Sequence, residues 1–231
     1  MERKTPELVR GVFRGIQSSY DRLDSMISFG QDNRWRKSLV MMLSIPQGGT
    51  VLDCGAGTGK LTELVQYHFP GCKTISLDIT SEMFRPEKNR NTEFIEGSAE
   101  DIPLDDSSVD AVVSSYMTRN LINVDRYFSE AFRVLKPGGM MVNMDIFNPT
   151  LPVFSQFFSL YFYRFMPVYG NFLSGTGSYT YLANSVRYFF TPEAISRKIE
   201  EAGFSGVRMK RLMLGSVFIH SGIKLTGNSP E

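Results

Sequence analysis

Cysteine is scarce in this chain: 231 residues contain two, Cys54 and Cys72. They supply neither a disulfide framework nor a zinc-ligand spacing, and they suit a reducing compartment. Histidine is as rare, and His68 and His220 stand too far apart to suggest a metal site, so no metal is expected. An excess of charge is also missing, because 25 Lys and Arg face 24 Asp and Glu for a formal charge of +1. That balance removes the bulk electrostatic case for nucleic acid as a partner. Long apolar runs are absent too. The most apolar stretch, Leu151 to Leu173, is interrupted by Pro152, Gln156, Arg164, Pro167 and Gly170, whereas a spanning helix needs about 20 mostly apolar residues. The opening MERKTPELVR has no apolar core of signal-peptide length, so a cytoplasmic location is expected. Repeats and low-complexity tracts are missing as well, and the length suits one domain with an extension.

What the chain does have is Thr50-Val51-Leu52-Asp53-Cys54-Gly55-Ala56-Gly57-Thr58-Gly59, a short apolar run that ends in an acid and breaks into three alternating glycines. The run has the length of a buried strand, and the glycines let bare backbone turn sharply against a ligand. Spacing separates the candidate ligands. A phosphate loop would need Gly at 54 and Ser or Thr at 61, where the chain has Cys54 and Leu61. A dinucleotide loop would need a small residue at 60, where the chain has Lys60. The pattern left is D-x-G-x-G-x-G.

From this turn onward strand-like and helix-like segments alternate. Val51 to Asp53 precedes a helix over Lys60 to His68, and Thr74 to Asp78 precedes a short helical piece. Glu93 to Ile95 leads into a loop over Gly97 to Asp106. Val109 to Ser114 leads into a helix over Asp125 to Leu135, the turn Lys136 to Gly139 and a strand over Met140 to Asp145. Thr191-Pro192-Glu193 starts a helix that stops at Gly203, and Val207 to Met213 and Ser216 to Ile223 give two closing strands joined near Gly215. Such alternation implies a mostly parallel sheet with helices on both faces, whose ligands bind at the carboxyl ends of the strands. Leu8, Val12 and Ile16 begin a helical stretch over residues 7–43. Residues 1–45 are therefore read as an N-terminal helical lid, 46–225 as the main domain, 150–190 as an aromatic insertion and 226–231 as a tail.

Asp78 ends the second strand, where a carboxylate can accept both hydroxyls of an adenosine ribose. Ser98 to Pro103 follows the third strand and offers backbone amides and acids to an adenine edge. VLDCGAGTG, SLDIT, GSAEDIPLDDSSVDAVVSSY and EAFRVLKPGG resemble, in this order, the successive motifs of class I S-adenosylmethionine-dependent methyltransferases, whose fold is a Rossmann-like α/β sheet of seven strands. That resemblance implies S-adenosyl-L-methionine held by Asp53, Gly55, Ala56, Gly57, Gly59, Asp78, Ile79, Met83, Ala99, Glu100 and Ser115, with Tyr20 reaching in from the lid. YDRLDSMISFGQDNRW, TRNLINVD, RVLKPGGMMVNMD and SYTYLANSVRYF resemble more narrowly the ubiquinone/menaquinone biosynthesis C-methyltransferase family. The chain departs from that family's pattern at Leu23 and Asp24, at Asp32, where a His is usual, at Lys60, where an acid is common, and at Asp145, where Glu is general.

The narrower resemblance implies methyl transfer to a ring carbon of a demethylated prenyl quinol, with Arg119 orienting the phenolic oxygen or a water, Asn120 following it and Tyr181 in the segment over the substrate. Two alternatives stand beside it: another small or lipidic methyl acceptor, and a non-catalytic S-adenosylmethionine-binding scaffold. The aromatic insertion, with Phe154, Phe157, Phe158, Tyr161, Phe162 and Phe165, is too apolar all round for a simple surface helix. Three uses are open to it beyond core packing: a channel for a prenyl tail, peripheral contact with a membrane, and a homodimer contact. A nucleic-acid substrate is disfavoured, because Ser114-Ser115-Tyr116-Met117 replaces an N/D-P-P-Y/F-type tetrapeptide after the fourth strand.

Overall fold

A computed structural model describes residues 5–16, 28, 30–85, 92–175 and 177–226. Helix α1 (Pro6–Ile16) and helix α2 (Asp32–Val40) come first. Strand β1 (Thr50–Cys54), helix α3 (Lys60–His68) and strands β2 (Lys73–Asp78), β3 (Thr92–Glu96) and β4 (Val109–Ser115) follow. Helix α4 (Val124–Val134) leads into strand β5 (Leu135–Ile146). The insertion holds α5 (Pro152–Leu160), a π-helical turn (Tyr161–Phe165), α6 (Met166–Ser174) and α7 (Ser178–Arg187). Helix α8 (Pro192–Glu201) and strands β6 (Ser205–Leu212) and β7 (Val217–Ile223) close the chain.

The strands form one seven-stranded sheet in the order β3-β2-β1-β4-β5-β7-β6. All pairs from β3 to β5 are parallel, and β7 runs antiparallel to both β5 and β6. Alternation along β1 sends Val51 to one face and Leu52 to the other, and each meets its own core. Val51, Val113 and Met144 pack with Leu39 and Val40 of α2, Val65 of α3 and Val186 of α7. Leu52, Val112 and Met141 pack with Tyr127 and Phe128 of α4 and Ile195 and Ile199 of α8. The expected doubly covered sheet is therefore present.

Two segments differ from the sequence expectation. The turn at Lys136 to Gly139 lies inside the bounds of β5, where the register jumps from Val109–Leu135 to Ala111–Met140 and the extra residues are absorbed as an irregularity. The insertion is helical nearly throughout, although Pro167 and Gly170 read as interruptions. Pro167 has no N–H to return to the preceding turn, and the chain accommodates it by widening just before it: Met166 N–H bonds to Tyr161 C=O, five residues back. Gly170 is the point where α6 closes on α7. A Cβ there would lie inside van der Waals contact of the Tyr179 ring. Among the described residues no helix is long and apolar enough to cross a membrane.

Candidate active site at the strand switch

The chain leaves β1 toward β2 on one side and β4 on the other, so the sheet order reverses here and a crevice opens beyond the strand ends. Gly55, Gly57 and Gly59 all take positive φ, 69°, 54° and 81°, a region that L side chains rarely adopt. Gly55 is doubly constrained, since a Cβ there would sit 2.7 Å from Cβ of Met117. The N–H groups of Gly55 and Ala56 donate to the Leu77 carbonyl at 2.7 and 3.2 Å, which anchors the turn on β2. Beyond the turn lies a cavity of about 190 Å³, bordered by Gly55, Gly57, Asp78, Ile79, Met83, Ala99, Glu100, Ser115 and Asn120.

Two carboxylates border it and a third lies behind it, each held differently. Asp78 accepts from Gly57 N–H at 2.8 Å and from Thr80 N–H at 2.8 Å, and burial pushes its carboxyl up to about 6. Those two bonds leave lone pairs on both oxygens for ribose hydroxyls. Asp53 lies behind the turn, outside the cavity wall, and accepts from Thr62 Oγ1 at 2.7 Å. Burial raises it to about 7, offset by the Thr62 bond and by Arg36, and its Oδ1 has no partner among the described residues. Glu100 borders the cavity but spends its carboxylate on the N–H groups of Ile122 and Asn123, at 2.8 and 3.1 Å, so its side chain fixes that loop.

Past β4 the backbone is forced. Tyr116, buried, takes φ 61° in the left-handed region, a conformation costly for a bulky residue. Its carbonyl accepts from Arg119 Nη1 at 2.7 Å and from Asn120 Nδ2 at 3.1 Å. Arg119 is held again by Asp145, whose Oδ1 lies 2.5 Å from Nη1 and whose Oδ2 accepts the Arg119 backbone N–H at 2.9 Å. Asn143 supports this corner from β5, its Oδ1 accepting from Ser114 Oγ and Thr118 Oγ1, both at 2.5 Å. Asn120 borders the cavity, and its buried Oδ1 has no partner among the described residues. Tyr181 lies near Arg119 but outside the cavity wall. Burial pushes its phenol up to about 12 against the opposing Arg119 charge, and the hydroxyl finds no partner among the described residues.

The structure thus brings nine of the expected residues to one cavity and places Asp53, Ala56, Gly59, Arg119 and Tyr181 behind its wall. Tyr20 lies outside the described residues. Sequence reasoning missed Pro6, Val9, Arg10 and Phe13 of α1, which close the cavity from the lid side, as well as Tyr116 and Met117. The α1 residues carry the apolar spacing of a helix face, but nothing local to them names the surface they cover. The cavity fits S-adenosylmethionine on its own features. Its floor is made of glycines, an acid stands at the ribose position, and Met83, 2% exposed, offers an apolar wall.

Comparison with known proteins gives the same result. The model of the ubiE/COQ5 methyltransferase family matches residues 1–224. A demethylmenaquinone methyltransferase of Staphylococcus aureus is 35% identical over 230 residues, covering 96% of this chain and 95% of that protein. Among solved structures, a SAM-dependent methyltransferase of Thermotoga maritima superposes with a TM-score of 0.65 at 17% identity, over 92% of this chain and 99% of that one. A phosphoethanolamine N-methyltransferase of Haemonchus contortus solved with S-adenosyl-L-methionine gives 0.63 at 14% identity, over 84% and 53%. The last two show a common fold. The family match across nearly the whole chain, on a sheet whose switch point carries the cofactor cavity, identifies this protein as an S-adenosylmethionine-dependent methyltransferase of the ubiE/COQ5 family.

Proposed function

We propose that the acceptor is a ring carbon of a demethylated prenyl quinol, demethylmenaquinol first, as the name of the Staphylococcus aureus relative suggests. The observation that carries this reading is Asn120, which borders the cofactor cavity with a buried carbonyl oxygen that has no partner among the described residues. A phenolic O–H is a group from which such an oxygen accepts a hydrogen bond; the bond polarises the O–H and pushes electron density toward the adjacent ring carbon, while the proton that the ring gives up on methylation leaves to water. Bound S-adenosylmethionine supplies an electrophilic methyl. The chain's own part is to hold the ring carbon in line with that methyl, which can contribute roughly 7 to 11 kcal/mol of the barrier. Arg119, fixed by Asp145 and the Tyr116 carbonyl, favours negative charge on the phenolic oxygen and keeps Asn120 in register. Tyr181, near Arg119 and behind the cavity wall, has a buried hydroxyl without a partner among the described residues, and it adds a polar group to the corner around Arg119.

The insertion supplies the route for the tail. Val153, Phe157, Leu160, Val168 and Phe172 are all more than half exposed and recur at helical spacing along α5 and α6. No Asp or Glu occurs between Asp145 and Glu193, while Arg164 and Arg187 do. An apolar stripe flanked only by cations suits the surface of a membrane with anionic lipids, the medium that holds a prenyl tail.

The test is incubation with labelled S-adenosylmethionine and a panel of demethylated quinols, with products identified by mass. Wild-type protein should methylate demethylmenaquinol on carbon. Asn120→Ala should lower kcat by about 100-fold, the order of magnitude lost with one positioned hydrogen-bond partner at the reacting oxygen, while sparing cofactor affinity. Methyl transfer to another acceptor class, or an Asn120→Ala variant with full kcat, overturns the reading. In flotation, Phe157→Asp with Phe172→Asp should abolish recovery with phosphatidylglycerol vesicles. Loss of a dimer instead, with vesicle binding intact, would assign the stripe to a second copy.

A further inference from the structure

Lys60 opens helix α3 directly after Gly59, at a helix N-terminus where unpaired N–H groups already make the potential positive. A cation there is unfavourable by itself. Facing it is the first residue of α2, Asp32, which is 1% exposed. Asp32 Oδ2 lies 3.5 Å from Lys60 Nζ and 2.7 Å from Arg36 Nη1, and Oδ1 accepts from Ser28 Oγ at 3.3 Å. Arg36 in turn lies over the ring of Tyr116, 5.1 Å from its centroid, and its charge reaches Asp53 beneath the glycine turn. Tyr116 borders the cofactor cavity. The contacts thus run from the end of the glycine turn through α2 to the opposite wall.

Asp32 and Lys60 are also two of the five positions at which the resemblance implies a different residue, His in place of the acid and an acid in place of the base. Nothing in the sequence relates them, since 27 residues lie between them. In the fold they touch. A lone replacement would set two acids side by side, or would take the carboxylate away from Lys60 and Arg36, whereas the two together keep opposite signs in contact.

We propose that Asp32 and Lys60 form a charge-reversed latch, a pair of positioning residues that seats helix α2 on the end of the glycine turn and so holds Gly57 and Gly59 in the cofactor-binding conformation. The latch acts on the cofactor half of the reaction and leaves methyl transfer itself to the corner beyond β4. It rests on the cofactor assignment, and wild-type titration with S-adenosylmethionine checks that assignment separately.

The experiment is a double-mutant cycle with Lys60→Glu, Asp32→His and both together. It reads the Kd for S-adenosylmethionine by calorimetry, kcat at saturating cofactor, and Tm. Each single variant should raise Kd by about 10-fold with kcat changed less than about two-fold, and the double should return to within about three-fold of wild type, as expected for residues in contact. A Lys60 that served only as a solvated charge predicts the opposite. Lys60→Glu would then place an acid at a helix N-terminus, raise Tm and leave Kd unchanged. That outcome, or losses that add in the double variant, overturns the latch. Should Lys60→Glu fail to fold, Lys60→Met keeps the Asp32–Arg36 pair and should raise Kd by about three-fold. An unchanged Kd in that variant overturns the proposal as well. A wild-type chain that failed to bind S-adenosylmethionine would bring down the cofactor assignment with it.

Discussion

Two carboxyl groups, Asp78 at the cofactor cavity and Asp53 behind its wall, are pushed toward neutrality for the same reason. Burial raises Asp53 to about 7 and Asp78 to about 6, because neither carboxylate is fully compensated by its hydrogen bonds. Only the ionised forms accept on both oxygens and attract a cationic ligand. Cofactor affinity should therefore be low at pH 5.5, rise as the two groups lose their protons, and level off above about pH 7.5, a gain on the order of 10-fold. Calorimetric titration with S-adenosylmethionine across that range checks it, and Asp53→Asn should remove the upper part of the rise. A flat profile would mean that neither carboxylate senses the ligand. The acids were legible as residues, because a strand ending in Asp before a glycine turn is a local pattern. Their ionisation was not, since it depends on how completely the fold covers them. The same limit explains Glu100, whose place at the cavity was legible while the use of its carboxylate on Ile122 and Asn123, more than 20 residues away, was not.

At the scale of elements, the parts that face the sheet were the readable ones. The bounds of α3, Lys60–His68, follow from an apolar spacing between the glycine turn and Pro70, and α8 follows from Thr191, whose Oγ1 accepts from Ala194 N–H at 3.2 Å, with Pro192 at the first helical position. The insertion was not readable, since Pro167 and Gly170 mark loops by composition while the structure uses them inside helices. Each is kept for a packing reason. Gly170 admits the ring of Tyr179, which is 4% exposed and bonded through its N–H to Asn171 Oδ1 at 3.1 Å, so α6 and α7 close on each other at that residue. Gly170→Ala should overpack this contact and destabilise the protein by about 1 to 3 kcal/mol despite the better helix propensity of Ala. Urea unfolding measures the cost. A variant as stable as wild type or more so would show that propensity outweighs packing here. Because α7 also carries Tyr181, the same variant should lower turnover more than cofactor affinity.

For the molecule as a whole, charge is distributed by function. The buried ions Asp32, Arg36, Asp53, Arg119 and Asp145 gather around the carboxyl ends of the parallel strands. The antiparallel side relies instead on a neutral group. His220 of β7 is fully covered among Phe147 and Phe218, and its Nε2 bonds to the Pro192 carbonyl at 2.9 Å, which fastens β7 to the start of α8. Burial lowers its pKa from 6.5 to about 4, outweighing the Pro192 bond and Glu193. An unfolded chain takes up this proton below pH 6.5, and the folded one resists it until about pH 4. The stability that neutral His220 contributes is therefore complete above pH 6.5 and is lost as pH falls through the window from 6.5 to 4, a loss of about 3 kcal/mol at most. Asp53 and Asp78 have raised values and push the other way, because the folded chain binds their protons first. Total stability against pH mixes the two signs, so the informative quantity is a difference. His220→Phe fills the same aromatic setting without the titration. Its unfolding free energy, measured beside wild type by urea at pH 7.5 and at pH 4.5, should lie below wild type at the higher pH, where the bond to Pro192 is missed. It should gain about 2 to 3 kcal/mol on wild type at the lower pH, where only wild type must keep an imidazole neutral. Curves that stay parallel would show that β7 carries no proton-linked stability.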